Sequence, residues 1–457
     1  MIVPRTRLLL WFAFIVVPFA TIGATVPGAL EVSAALVALF FVAVLVDALR
    51  ALGRLDGVRV ELPALVRLQK DRPATLELRI HNPEKIARQI RVGLAFPAEI
   101  VAEDDRTALL PAGAELARIE WPVRPAERGP YFLERAYLEG VSPLGFWAVR
   151  ASQPLRCELR VYPDLFRERR NVAAVFLRRS DLGAQLQRRA GQGREFEKLR
   201  EYLPGDSLSE VHWKASAKRG HPVTKVFQVE RTQEVYVIVD ASRLSARPVR
   251  CASESESGRA LSTPTFTRHS TLERYVTAAL VLGLAAEQQG DRFGLVTFSD
   301  RVLSFVRARS GQAHYDACRD RLYALQPQGV SPDFEELCSF LRLRLRKRAL
   351  LIFLTALDDP MLAASFTRAT ELIARQHLLR VNMLQPEGAA ALFSESAGVE
   401  TTDDLYRRLG GHLRWRDLRE LAQVLEQRGV RFSLLDPTRL SAQLVAQHAE
   451  VKARQLL

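Results

Sequence analysis

Cysteine is scarce in this chain, with four residues in 457, and no two of them form a CxxC pair. The eight histidines also lack the HxxxH spacing that places two imidazoles on one helical face. These absences exclude a zinc site of the usual kind, and four cysteines are too few for a disulfide-built scaffold. We expect the four cysteines to be small core or surface residues of a protein in a reducing compartment: Cys157, Cys251, Cys318 and Cys338.

Acidic residues are in the minority, because lysine and arginine number 65 against 52 aspartates and glutamates, which gives a net charge of +13. A hydrophobic content of 48% with 26% charged residues excludes a disordered or fibrous chain. At about 150 residues per domain, the length is sufficient for about three domains with real cores.

Charge is absent from residues 8–30, where an apolar run of about 19 residues is long enough to cross ~30 Å of hydrocarbon. A second apolar run lies between Glu31 and Asp47, and Val26-Pro27-Gly28 signals a turn between the two runs. We therefore predict a transmembrane hairpin over residues 1–57. The alternative is a cleaved signal peptide followed by a single span.

Positive charge flanks the hairpin on both sides: Arg5 and Arg7 before it, Arg50, Arg54 and Arg59 after it. The turn carries only Glu31. Under the positive-inside rule, both flanks stay in the cytoplasm. The sequence thus predicts an inner-membrane protein with two spans and cytoplasmic soluble domains.

Residues 58–163 alternate apolar and polar positions over short stretches, such as 74–80, 90–94 and 116–121, with turn residues between them. Alternation with period two predicts antiparallel strands and a β-sandwich-like domain. No residue cluster in this region has the composition of a catalytic site. We interpret it as a spacer or packing module.

Arginine is concentrated in the next region, residues 164–232, which we interpret as a basic connector. Its arginines are mixed with apolar residues over 165–189, so part of it is predicted to be amphipathic helix. Contact with anionic lipid or polymer is an alternative, because basic residues near a membrane gain about 1 kcal/mol each from it. No nucleic acid partner is expected, since the aromatic residues that strand-binding surfaces interleave with basic ones are missing.

Continuous apolar runs appear from residue 233 onward, at 235–239, 294–298, 350–355, 381–384 and 432–435. Helical stretches alternate with them, at 271–289, 315–325, 334–348, 361–376 and 413–428. This alternation predicts a doubly wound α/β domain over residues 233–457, with ligands at the carboxyl ends of its strands. Asp240 and Ser242 follow the first strand, where oxygen ligands can hold a hard divalent cation. No GxGxxG follows that strand, which argues against a dinucleotide site.

A long signature occupies residues 191–218 and closely resembles the bacterial domain of unknown function 58 family. The matching residues are Gly191, Gly193, Glu195, Phe196, Leu199, Arg200, Tyr202, Pro204, Gly205, Asp206, Trp213, Lys214 and Ser216. The chain departs from the family pattern at Ser209, His212 and Lys218. The resemblance implies membrane attachment, a von Willebrand factor A-like α/β domain, association with a MoxR-type AAA+ ATPase, and no established catalytic activity.

The resemblance also implies a metal-dependent adhesion site, to which Asp240, Ser242 and Ser331 correspond. Two further ligand positions hold residues without a side-chain oxygen, Leu244 and Ala356. Mg²⁺ requires near-octahedral oxygen coordination. We therefore expect no tightly bound cofactor at this incomplete magnesium site. The serine-rich stretch 243–269 that follows is predicted to be a loop.

The signature itself reads as a structural element, with a Pro204-Gly205 turn and Phe196, Tyr202 and Trp213 as apolar anchors between domains. A hydrolase that pairs Asp206 with His212 is the alternative. No nucleophile elbow accompanies that pair, so we expect a non-enzymatic interaction or assembly factor. Its client proteins are not identified by the sequence.

Overall fold

A computed structural model describes residues 1–26, 28–85, 88–165, 195–203, 208, 211–228, 233–249, 269–392 and 401–454. The chain divides into two compact units, Met1–Asp164 and Leu165–Leu457. Part of the predicted basic connector (166–194) and most of the predicted serine-rich loop (250–268) lie outside the described residues. The same holds for five signature residues: Gly191, Gly193, Pro204, Gly205 and Asp206.

The first unit begins with two long apolar helical stretches. The first runs from α1 (Thr6–Trp11) through a π-helical turn (Phe12–Val16) into α2 (Val17–Thr25), and the second is α3 (Leu30–Ala51). Pro18 has no N–H to donate, and the wider π-helical turn precedes it directly. Both stretches are long and apolar enough to cross a membrane, in agreement with the predicted hairpin.

Two β-sheets form the rest of the first unit. The strands are β1 (Ile2–Pro4), β2 (Arg59–Glu61), β3 (Leu65–Gln69), β4 (Ala74–His81), β5 (Arg88–Leu94), β6 (Ile100–Ala102), β7 (Asp105–Leu110), β8 (Leu116–Pro125), β9 (Gly129–Val141) and β10 (Trp147–Tyr162). One sheet has the order β1-β10-β9-β5-β7 with β3 also paired to β10, and the other has the order β2-β4-β8-β6.

Alternation places the core of these sheets as expected. In β4, Leu76, Leu78 and Ile80 are buried and the residues between them are exposed. Residues from both sheets share one apolar cluster, which includes the fully buried Trp121. The predicted β-sandwich is confirmed. Strand β1 was not predicted, because three residues are too short to show a period.

The second unit opens with an antiparallel hairpin, β11 (Glu195–Glu201) with β12 (Val223–Gln228), and α4 (Trp213–Arg219) lies between these strands in the chain. The sequence interpretation of a connector missed this hairpin. Its strands carry six charged and five apolar residues, so neither a helical period nor a strand period of apolar residues is evident.

A six-stranded sheet forms the core of the second unit. Its strands are β13 (Glu234–Asp240), β16 (Arg292–Phe298), β17 (Val302–Arg309), β18 (Leu350–Leu354), β19 (Leu378–Leu384) and β20 (Val430–Leu435). Two short strands, β14 (Pro248–Val249) and β15 (His269–Ser270), pair with each other and lie between β13 and β16 in the sequence. The order is β17-β16-β13-β18-β19-β20, parallel except for β17. The chain therefore builds outward from β13 in both directions, and a topological switch point lies beside β13.

Helices cover both faces of this sheet. They are α5 (Thr271–Gln288), α6 (Gln312–Leu322), α7 (Phe334–Arg344), α8 (Pro360–Ala374), α9 (Thr402–Gln427) and α10 (Leu440–Ala453). The apolar cluster on one face contains residues of α5, α6 and α10, and the other contains residues of α7, α8 and α9. The predicted doubly wound domain is confirmed.

Helix α9 begins eleven residues before its predicted start at 413. Gly410 and Gly411 lie just before that predicted start, and both are helical. Thr401 and Asp404 form a capping box that begins the helix. Gly411 has a packing role, since a Cβ built on it would lie 1.9 Å from the carbonyl oxygen of Gly388.

Candidate functional site

Asp240 ends β13 at the carboxyl edge of the sheet, where its side chain is buried. One carboxylate oxygen accepts a hydrogen bond from the backbone N–H of Ser242 at 2.8 Å. The other accepts from the hydroxyl of Thr355, which follows β18, at 2.6 Å. Burial raises the pKa of Asp240 above the usual aspartate value, and these two hydrogen bonds oppose that shift. Both carboxylate oxygens are thus engaged by protein donors.

Ser242 begins a 3₁₀ turn, Arg243–Ala246, and its hydroxyl accepts from the N–H of Leu244 at 3.3 Å. The hydroxyl of Ser245 donates to the carbonyl oxygen of Ser242 at 2.8 Å. Both serines are buried, so their oxygens serve the turn and do not face solvent. Ser245 does not substitute for a missing ligand.

The two positions that lack a ligand oxygen pack together. Leu244 and Ala356 belong to one apolar cluster with Met383 of β19 and Leu418 of α9. Apolar side chains occupy the place where a divalent cation needs charged or neutral oxygens. Leu244 and Ala356 therefore contribute to packing at this edge of the sheet.

Two arginines form polar contacts at this edge. Nε of Arg243 donates to the Ser331 hydroxyl at 3.0 Å, and the backbone N–H of Arg243 donates to the carbonyl of Val330 at 2.9 Å. Nη1 of Arg247 lies 2.6 Å from a carboxylate oxygen of Asp358. Sequence reasoning missed both arginines, although their positions, one and five residues after Ser242, were visible.

The structure brings Asp240, Ser242 and Ser331 to one edge of the sheet, as predicted. Their oxygens accept from Thr355, from Leu244 and from Arg243, so the donor set does not fit Mg²⁺. Within the residues that the structure describes, no group of three or more His, Cys, Asp or Glu side chains is placed to hold a metal ion.

A groove of about 1270 Å³ opens beside the apolar cluster. Leu244, Ala356 and Met383 contribute to its lining, together with residues of α8 and α9 such as Ala364 and Val424. Four arginines also line it, Arg247, Arg368, Arg414 and Arg428, and so do carboxylates that include Asp358 and Glu420. No local sequence pattern predicts this groove, because its lining comes from segments far apart in the chain.

The described signature residues lie in the β11–β12 hairpin and in α4. Glu195, Phe196, Leu199 and Arg200 belong to β11, Tyr202 follows it, and Trp213, Lys214 and Ser216 belong to α4. Trp213 is 68% exposed, and its role as an apolar anchor between domains stays a prediction.

His212 acts as the N-cap of α4. Its Nδ1 accepts from the N–H of Ala215 at 3.1 Å, and its N–H donates to the carbonyl of Val223 at 2.8 Å. The Ser216 hydroxyl donates to the carbonyl of His212 and accepts from the N–H of Val223. The imidazole is thereby held in a structural hydrogen bond. Its expected partner in the hydrolase alternative, Asp206, lies outside the described residues.

A model of the family "Protein of unknown function DUF58" matches residues 198–391. The resemblance is confirmed. The DUF58 region contains the hairpin strand β12, the helix α4 and the whole carboxyl edge from Asp240 to Ala356.

Curated relatives carry no assigned activity. Uncharacterized proteins of Mycobacterium bovis and Mycobacterium tuberculosis are 24% identical over 200 residues, which is 43% of this chain and 56% of each relative. The chain thus spans about half the length of the curated relatives it matches.

Two solved structures show some likeness to about half of this chain. BatB, a conserved hypothetical protein from Bacteroides thetaiotaomicron, has 15% identity over 49% of this chain and 99% of its own, with a TM-score of 0.31. An aerotolerance-related membrane protein from Bacteroides fragilis has 11% identity over 48% and 98%, with a TM-score of 0.29. The von Willebrand factor A-like fold rests on the strand order of the sheet.

Proposed function

We propose that this protein is a membrane-anchored, non-enzymatic interaction or assembly factor that binds a partner polypeptide in the groove beside Leu244 without a divalent cation. The observation that carries the proposal is the presence of apolar residues at two expected ligand positions of the metal site. Leu244 and Ala356 stand at ligand positions, pack with Met383 and Leu418, and contribute to the groove lining.

The size and lining of the groove support a polypeptide partner. Small-molecule pockets are usually about 300–1,000 Å³ and bury most of their ligand, whereas this groove is larger and half open. An apolar floor with arginines and carboxylates around it resembles the core and rim of a protein interface. Arginine is also among the residues that most often dominate binding energy there.

The partner we propose is a MoxR-type AAA+ ATPase, as the family resemblance implies. Such an ATPase needs cytoplasmic ATP, and the arginines that flank the helical hairpin favour a cytoplasmic position for the soluble units. The two apolar helices would then hold this complex at the inner membrane.

The capping role of His212 supports a non-enzymatic protein. A general base needs an available ring nitrogen within hydrogen-bond reach of the proton that it removes. Nδ1 of His212 instead accepts a backbone N–H, and no serine or cysteine is among the described residues that line the groove. A hydrolase at the signature segment therefore has no support from the described residues.

Co-purification of the full-length protein with the MoxR-type ATPase of the same organism tests the proposal, with and without ATP. Val424 lines the groove and is 42% exposed, so Val424→Asp should fold and weaken co-purification strongly. Leu372 on α8 is 52% exposed and is not part of the groove lining, so Leu372→Asp is the matched control.

Loss of the ATPase with Val424→Asp but not with Leu372→Asp would support the groove as the binding site. Equal retention in both variants would contradict it. A hydrolytic activity that depends on His212 would contradict the non-enzymatic assignment.

A further inference from the structure

The end of α3 carries a buried carboxylate that is bound by a loop of the β-sandwich. We call residues 142–147, which connect β9 to β10, the foot loop. One oxygen of Asp47 accepts from the N–H of Leu144 at 2.9 Å. The other accepts from the hydroxyl of Ser142 at 2.6 Å and from the N–H of Phe146 at 3.2 Å. An acidic residue near the end of an apolar span is thus fully provided with donors.

The foot loop leaves none of its backbone N–H groups for water. Each one has a protein acceptor: Ser142 donates to the Trp147 carbonyl, Leu144 and Phe146 to Asp47, Gly145 to the Ser142 carbonyl, and Trp147 to the Ser142 hydroxyl. A loop in water has no need of this, because solvent satisfies its amides. Non-helical backbone at a bilayer requires it, since lipid offers no acceptors.

Further contacts fix the level of the foot loop along both apolar helices. The ring of Phe146 packs edge-on against Phe40 at 6.1 Å, and Nε1 of Trp147 donates to the Val44 carbonyl at 3.0 Å. The N–H of Arg5, directly before α1, donates to the Phe146 carbonyl at 2.9 Å. The foot loop therefore lies beside the start of the first helix and the last third of the second.

This level coincides with the expected boundary of the hydrocarbon. From Leu30 to Asp47, α3 rises about 26 Å, which is close to the ~30 Å thickness of a bilayer core. Tryptophan is enriched at such boundaries, where the ring is apolar and the N–H finds an acceptor. Trp147 has this arrangement.

Exposed apolar side chains surround the foot loop and the end of α3. Leu144 at the tip of the foot loop is 50% exposed. Leu45 and Leu49 on α3 and Leu52 directly after it are exposed, and they extend the lipid-facing stripe past Asp47. Water would leave this surface unfavourably hydrated, whereas lipid would cover it without cost.

We propose that the foot loop is a third membrane contact, in which lipid covers Leu144 and the β-sandwich rests directly on the bilayer. Asp47 is the residue that makes this contact compatible with lipid, because it satisfies two loop amides. The proposal rests on the membrane anchorage in the proposed function and does not depend on the groove or its partner.

Cysteine scanning of the full-length protein in proteoliposomes tests this contact. Three variants are compared: Leu144→Cys in the foot loop, Leu45→Cys in α3, and Phe132→Cys as the exposed control. Phe132 pairs with Glu158, eleven residues along β10 from Trp147, which is about 36 Å from the foot loop. Phe132 and Leu144 belong to the same unit, so mixed orientation in the liposomes affects both equally.

Native thiols interfere little in this assay. Burial raises the pKa of Cys157 to about 11 and of Cys318 and Cys338 to about 12, so few thiolates are present at neutral pH. Cys251 is replaced by serine in every variant.

We expect a membrane-impermeant maleimide to label Leu144→Cys about tenfold more slowly than Phe132→Cys, because lipid disfavours both the polar reagent and the thiolate that attacks it. A fluorophore on Leu144→Cys or Leu45→Cys should be quenched by brominated phospholipids, and one on Phe132→Cys should not. Quenching at Leu45→Cys with fast labelling and no quenching at Leu144→Cys would overturn the third contact alone. Absence of quenching at Leu45→Cys would overturn the membrane anchor and this proposal together.

Discussion

Asp240 shows at the scale of one residue how a pattern typical of a metal site can serve a structural role. The aspartate and Ser242 keep the spacing of ligands, but their hydrogen bonds hold the end of β13 to the 3₁₀ turn and to Thr355. A short pattern of aspartate and serine is compatible with metal coordination and with hydrogen bonding inside the fold. Only the partners of each oxygen distinguish the two roles.

The raised pKa of Asp240 gives a prediction for stability against pH. A carboxyl group whose pKa is higher in the folded protein favours folding most below its unfolded pKa, and that contribution is lost as pH rises through the folded value. Asp240→Asn removes this titration and keeps an oxygen acceptor for Ser242. The melting temperature of the variant relative to the parent should therefore be higher at about pH 8 than at about pH 4.

Thermal unfolding with and without Mg²⁺ supplies the control for Asp240→Asn. Stabilisation of the parent, but not of the variant, by millimolar Mg²⁺ would show that Asp240 is a metal ligand after all. Equal behaviour in both would agree with its structural role.

Substitutions at His212 can distinguish a role as a helix N-cap from a role as a catalytic acid or base. Asparagine is a good N-cap and alanine is a poor one, so His212→Ala should lower the free energy of unfolding by about 1 kcal/mol and His212→Asn by much less. Partner co-purification should survive in both variants. Loss of cellular function in both, with the asparagine variant fully stable, would instead indicate chemistry at the imidazole.

Helix α9 illustrates, at the scale of an element, which features the sequence determines. Its apolar period was recognised from residue 413 onward, but the first turns, which contain Gly410 and Gly411, were not predicted. One of these glycines is needed for the close approach to Gly388 and the other is not. Local pattern does not report a contact between two backbones that are 23 residues apart in the chain.

The two adjacent glycines give a matched pair of substitutions. Gly410→Ala meets no atom within 4 Å and should stabilise the protein by about 0.5–1 kcal/mol, because glycine costs backbone entropy in a helix. Gly411→Ala would place its Cβ 1.9 Å from the Gly388 carbonyl oxygen and should be destabilising. Thermal melting of both variants checks this, and equal melting temperatures would contradict the packing of α9 on the loop around Gly388.

The same reasoning explains the other outcomes among the elements. Strands β13 and β18 were predicted because both of their faces are buried, which gives unbroken apolar runs. The β11–β12 hairpin and the groove escaped prediction because charged residues interrupt the first and distant segments build the second. Trp213 was expected to anchor two domains because of its place between them, and that role stays a prediction for this exposed side chain.

At the scale of the whole molecule, the helical hairpin determines on which side of the membrane the soluble parts are expected. Strand β1 precedes the first apolar helix and pairs with β10, so the N-terminus and the β-sandwich lie on the same side of the hairpin. The flanking arginines predict that this side is the cytoplasm. A reporter that is active only outside the cytoplasm should be silent when fused after Leu457, and activity there would overturn the topology.

The central claim is that the groove beside Leu244 holds a partner polypeptide without a divalent cation. A photo-crosslinking amino acid at Val424, with Leu372 as the control position, tests it most directly in membranes that contain the MoxR-type ATPase and no added nucleotide. We predict crosslinks to the ATPase from Val424 and not from Leu372, with equal yield in EDTA and in Mg²⁺. Crosslinks that require Mg²⁺, or that form equally from both positions, would contradict the claim.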